Sequence, residues 1–100
     1  MNKILMRAIF DLNYSAARSA VRTGAQPLEF LELAIRSRDV IRLNMVLSLL
    51  PPGALNRVRR IALQVRVFGN YPDERAALKT WVYGQRSRIR AAQAAAQAAV

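Results

Sequence analysis

The sequence predicts an all-α protein, a small bundle of four to five helices. Three observations lead there. Apolar residues recur at helical spacing, no segment alternates with period two as a half-buried strand would, and glycine and proline gather at a few punctuating points. One hundred residues allow one domain, read as a helical domain over 1–90 followed by an Ala/Gln-rich helical tail over 91–100.

The first helix is expected from about Asn2 to Arg22. Leu5, Ile9, Leu12, Ala16 and Ala20 mark its apolar face, and Gly24 stands where a C-terminal cap belongs. A second, short helix opens with Pro27 in its first turn, where a missing N–H is harmless, and with Glu29 at the positive dipole end. It runs to about Arg36 or Ser37. Asp39 reads as the N-cap of a third helix through Leu50, in preference to one kinked helix spanning both. The apolar run Val40–Leu50 leaves so little polar surface that it should be the most buried segment.

A fourth helix follows Pro51-Pro52-Gly53, from about Ala54 to Val67, with Leu55, Val58, Ile61, Ala62 and Val65 on one face. Gly69 ends it. The fifth starts near Pro72, with Asp73 and Glu74 in its first turn, and continues towards the tail, whose alanines have high helix propensity. Gly84 inside this helix marks a kink, a close helix contact or an end. Trp81 is expected in the core or at a dimer seam.

Composition excludes much. The chain has no Cys and no His, so disulfide scaffolds, thiol nucleophiles, Cys/His zinc sites and Ser-His-Asp triads are absent by count. The six acids mostly sit at helix starts, where capping and dipole effects account for them. Glu29 and Glu32, with no His or further acid nearby in sequence, make a poor metal pair. No catalytic residue, metal ligand or cofactor is expected, and the protein is read as a non-enzyme.

No continuous apolar run resembles a secretory signal, because Arg7 and Asp11 interrupt the first one. The longest largely apolar stretch, Val40–Leu50, contains Arg42, Asn44 and Ser48 and is about half of what a bilayer requires. A cytoplasmic location is expected, with nucleus and mitochondrion left open.

Charge is the positive signal. Sixteen Lys and Arg stand against six Asp and Glu, a formal net charge of +10, and 14 of the sixteen are Arg. Arginine offers a planar fork suited to phosphates, although codon bias in an Ala- and Arg-rich proteome would leave the same trace. The distribution is more informative. Residues 1–53 carry a net +3 and residues 54–100 a net +7.

On a continuous first helix, Lys3, Arg7, Asp11, Tyr14, Arg18 and Arg22 would fall within one sector, and Arg75, Lys79, Tyr83, Arg86 and Arg90 do so on the fifth. Neighbours four residues apart lie about 6 Å apart along the axis, close to phosphate spacing on a strand. Arg57, Arg59, Arg60, Arg66 and Arg88 would enlarge the patch. Any amphipathic helix needs a polar face, but so few acids beside two such stripes favour a polyanionic partner.

A helix-turn-helix is a poor reading. Ala20 and Gly24 have the turn spacing, but the recognition helix would open with Glu29 and Glu32 and repel the groove. Exposed-aromatic sheet recognition lacks strands. What survives is backbone or shape recognition by helices, with double-stranded RNA, bound without sequence specificity, as the expected ligand and RNA favoured over DNA. The expected nucleic-acid-binding residues are Lys3, Arg7, Arg18, Arg22, Arg57, Arg59, Arg60, Arg75, Lys79, Tyr83, Arg86, Arg88 and Arg90.

The apolar segment 28–50 predicts a homodimer through those residues, doubling the patch. The rival reading is an adaptor or chaperone for an acidic protein, using an apolar groove at 40–50 rimmed by arginines. A third is an amphipathic first or fifth helix lying on anionic lipid.

Overall fold

A computed structural model describes residues 1–99 of the chain and consists of helices and turns, with no strand among the described residues. Six helices have six residues or more: α1 (Asn2–Phe10), α2 (Tyr14–Arg22), α3 (Leu31–Arg36), α4 (Val40–Ser48), α5 (Leu55–Gln64) and α7 (Pro72–Ala98). A single turn, α6 (Val67–Asn70), lies between the last two, and 3₁₀ turns over Pro27–Phe30 and Pro52–Ala54 lead into α3 and α5. The all-α class stands, but the helix count exceeds the expected four to five. Val100, the last residue of the predicted tail, lies outside the described residues.

The largest departure is at the start. The expected helix over 2–22 is two helices, folded back as an α1–α2 hairpin in which the two pack on each other. Leu12 adopts a left-handed φ of 55°, its N–H donates to the Ile9 carbonyl, and the Asn13 N–H donates to the Ala8 carbonyl. Those two bonds form a Schellman cap. Asn13 then caps α2, its side-chain oxygen accepting from the Ala16 N–H at 3.1 Å. Folding back covers Leu5, Ala8 and Ile9 together with Ala17 and Ala20.

Left-handed residues recur at helix ends. Gly24 (φ 109°) closes α2, its own N–H donating to the Val21 carbonyl and that of Ala25 to the Ala20 carbonyl, as its position in the sequence predicts. Arg38 (φ 56°) follows α3 and Arg66 (φ 52°) follows α5. The fourth helix therefore stops at Gln64 and not at Val67. Asp39 caps α4 as expected, accepting from the Arg42 N–H, and α3 and α4 are separate helices.

α4 occupies the centre, packed against α3, α7 and α1. Leu43, Met45, Val46 and Leu47 are buried on it and join Leu31 and Ile35 of α3 in the core, with Val58 and Leu78 from α5 and α7. Burial of 40–50 matches the expectation, and an apolar groove of about 320 Å³ remains where α4 meets α1 and α3, lined by Met6, Phe10, Phe30, Leu33 and Val46 with Arg42 at its edge. That burial covers within one chain most of the surface on which the dimer was argued. Leu33 (61% exposed) and Ile41 (64%) are what 28–50 leaves open.

Two arginines serve the fold. Arg42 pairs with Asp39, donates to the Phe10 carbonyl and lies over the Phe10 ring, joining α4 to the end of α1. Arg38 donates to the Asn70 carbonyl and stacks on Tyr71, joining the α3–α4 turn to the start of α7.

α7 passes through Gly84 without interruption and its 27 residues span about 40 Å. Trp81 is half-buried against the core. From Ser87 to Ala99 every residue is exposed, so the last turns extend past the body. The radius of gyration of 14.5 Å, against about 13 Å for a compact chain of this length, reflects that overhang. No helix among the described residues is long and apolar enough to cross a membrane.

Candidate functional site

The break at Leu12 divides the first cationic stripe. Lys3 and Arg7 stay on α1, where Arg7 is paired with Asp11 at 2.9 Å. Tyr14, Arg18 and Arg22 sit on α2, with the Arg18 guanidinium over the Tyr14 ring. The straight line expected from Lys3 to Arg22 does not exist, because the helix that would have carried it turns back on itself.

The second stripe survives intact, since α7 is continuous. Its inward face is Glu74, Leu78, Trp81 and Gln85, and Arg75, Lys79, Tyr83, Arg86 and Arg90 fall on a neighbouring sector. At about 100° per residue, Arg88 lies about 180° round the helix from Arg86 and Arg90 taken together. It does not extend the stripe. The expectation that it would enlarge the patch fails for that reason.

Where α5, α6 and α7 meet, the stripe becomes the rim of a groove with a volume of about 410 Å³. Arg59 contributes from α5, and Arg75, Lys79, Tyr83 and Arg86 from α7. The floor and walls are apolar: Ala62, Leu63, Val67, Phe68, Leu78 and Val82. No acidic side chain lines it. The Arg75 guanidinium sits 3.9 Å from the centroid of the Phe68 ring, a close cation–π contact.

Local geometry explains the assembly. Val65 and the left-handed Arg66 end α5, and Phe68 (φ −63°, ψ 120°) and Gly69 (φ 84°) leave helical conformation inside α6. The chain therefore reverses over a few residues and sets α7 beside α5, with Phe68 held outward at the corner. Positive φ at Gly69 meets no Cβ penalty.

The remaining predicted residues are scattered. Arg57 lies on the opposite flank of α5 from Arg59, about 160° away, and lines a different groove that also contains Glu29. Arg60 is exposed on the outer face of α5. Lys3 and Arg7 line a small cleft beside Asp11. The structure thus brings together Arg59, Arg75, Lys79, Tyr83 and Arg86, with Arg90 one turn beyond, and leaves the others apart.

Ion pairing follows the same division. Among the described residues the salt bridges are Arg7–Asp11, Arg36–Glu32 and Arg42–Asp39, all in the first half of the chain. None of the nine cations after residue 53 takes part in one. Glu74, one of the two acids there, is turned inward and only 3% exposed.

Sequence reasoning missed the apolar part of the groove. Leu63 carried one signal: an apolar residue off the buried face of α5, one turn after Arg59, and 74% exposed in the fold. Phe68 carried none, since nothing in a Phe-Gly pair says which way the ring will point. No group of three or more potential metal ligands occurs among the described residues. Comparison of the chain with protein-family models, with curated proteins and with solved structures returned no match.

Proposed function

We propose that the protein binds nucleic acid through the phosphate backbone, without sequence selectivity, on the α5–α7 face. One observation carries this reading. Four cations from two helices line a single groove with no acidic side chain among them, and Arg90 continues their line along α7. Unpaired arginines held this close repel one another, and a polyanion relieves that repulsion. RNA is proposed over DNA because Tyr83 brings a phenol hydroxyl among the cations, a group able to bond a 2′-hydroxyl.

The duplex expectation leaned on two matching stripes. With the first one broken, only α7 offers a straight rail, so duplex and single strand both belong in the test. The dimer is carried forward as a proposal on a smaller surface, with Leu33 and Ile41 as its apolar contacts. A sedimentation mass of one chain at the concentrations used for binding would end it.

Binding to labelled RNA of about 20–30 nucleotides or base pairs should weaken steeply with salt. Five phosphate contacts give a slope of log affinity against log salt of about −3.5 for a single strand or −4.5 for a duplex. Raising salt from about 50 to about 200 mM should then cost two to three decades in affinity. Replacing Arg86 and Arg90 together by Gln should flatten the slope by about 1.4 to 1.8. Arg36→Gln, which touches a cation already paired with Glu32, should leave it unchanged. Absence of binding, or a slope indifferent to the double substitution, refutes the proposal.

A further inference from the structure

Phosphate contacts leave the floor of the α5–α7 groove unexplained. A cationic surface that only held a backbone would have no use for Leu63, Phe68 (70% exposed) and Tyr83 (53%) standing open between its arginines. Clustered exposed apolar side chains in a concavity mark a binding surface. Phe68 is presented with particular care: the turn at Gly69 lifts it out of the helical path, and the Arg75 guanidinium backs its ring at 3.9 Å. A guanidinium laid on an aromatic ring is a flat platform of the kind on which bases stack.

We infer that the groove accepts unpaired bases of a single RNA strand, with Phe68, its Arg75 backing and Tyr83 as stacking surfaces, while the flanking phosphates lie on Arg59, Lys79, Arg86 and Arg90, which with Arg75 given to stacking sets the single-strand salt slope at about −2.8. This rests on the nucleic-acid reading above and specifies its ligand. In a duplex the bases are stacked on one another and cannot reach a groove floor, so the apolar lining discriminates for the single strand.

The charge complementarity also separates an RNA strand from an acidic helix of a partner protein. On α7 the apolar lining ends at Tyr83, but the cations run on to Arg90, about 10 Å further along the axis. A strand charged at every residue uses that extension, with bases entering only where the floor is open. A docked amphipathic helix needs apolar contact along its whole length.

The test compares three labelled probes of about 12 residues, within the span of known single-strand sites: oligoadenylate, an abasic strand with the same number of phosphates, and an RNA duplex. Oligoadenylate is expected to bind about tenfold more tightly than the abasic strand. Phe68→Ala combined with Tyr83→Ala should abolish that difference while leaving the salt slope of abasic binding, which counts phosphate contacts alone, unchanged. Both side chains are exposed, so folding is retained, and circular dichroism checks it. Leu63→Lys is a second route: it adds a cation yet places charge on the floor, so it should raise abasic binding and lower the preference for bases.

Equal binding of oligoadenylate and the abasic strand, or a preference for the duplex that ignores Phe68 and Tyr83, overturns the inference and leaves phosphate binding intact. If none of the three probes binds, while an acidic amphipathic peptide does, both readings fall.

Discussion

Replacing Asn13 by Ala distinguishes a broken first helix from a continuous one by the sign of a stability change. In the hairpin, Asn13 caps α2 through the 3.1 Å bond from the Ala16 N–H, and its side chain is exposed, so the substitution removes little else. Loss of such a cap costs about 1 kcal/mol. In an uninterrupted helix over 2–22, the same residue would be an exposed interior position, and Ala would stabilise it by about 0.6 kcal/mol.

For a chain of this size 1 kcal/mol corresponds to about 4–8 °C in Tm. Thermal denaturation followed by circular dichroism should therefore show a drop of that order. Leu12→Gly gives the complementary sign. It relieves a left-handed residue, worth about 1 kcal/mol or more, and should raise Tm. Within a continuous helix it would lower Tm by a similar amount. A rise for Asn13→Ala together with a fall for Leu12→Gly would refute the hairpin. It would also restore the straight cationic line from Lys3 to Arg22, and with it the case for a duplex held on two rails.

Two other outcomes are expected. Gly84→Ala should stabilise the protein by about 0.5–1 kcal/mol, because α7 is helical there and a Cβ would meet no atom within 4 Å; a lower Tm in denaturation would reveal a neighbour against that face, such as a second copy of the chain. At Asp39, hydrogen bonds from the Arg42 N–H and guanidinium hold the carboxyl below its ordinary value. A depressed carboxylate pKa stabilises the fold above the unfolded value of about 3.9, and that stabilisation disappears as pH falls through the lower folded value. Asp39→Ala should therefore cost about 1 kcal/mol at pH 7, and its Tm gap to the natural protein should narrow below about pH 4. A gap that stays constant across that range would show that the charge on Asp39 plays no part.

Much of the fold is legible wherever glycine, proline or a capping side chain acts locally. Gly24, Pro27, Asp39, Pro51-Pro52 and Pro72 each end or begin a helix because their own backbone or side chain does so, whatever surrounds them. The core position of 40–50 is legible for a related reason, since a helix with so little polar surface has to lie at the centre. At the left-handed positions themselves, Leu12 and Arg66, no such residue stands, although Asn13 after Leu12 caps α2. Leucine and arginine are good helix formers, and the apolar spacing runs across Leu12 without a gap. There the left-handed conformation is sustained by packing, as α1 folds onto α2 and α5 turns towards α7, and packing is not a property of any one residue.

The same division governs the candidate site. The sequence by itself determined an all-α fold, a formal +10 concentrated after residue 53, and a cationic stripe on the last helix, because composition and helical periodicity are properties of the chain alone. Only the tertiary structure decided which charges act together. It used Arg38 and Arg42 to join helices, turned Arg57 and Arg88 away, and folded the first stripe in half. Through the turn at residues 65–71 it set Arg59, Leu63 and Phe68 against Arg75, Lys79, Tyr83 and Arg86. The physical reason is that a groove between helices depends on where the chain reverses: Gly69 permits the turn locally, but the left-handed Arg66 and the direction in which Phe68 points are held by the packing of α5 and α7.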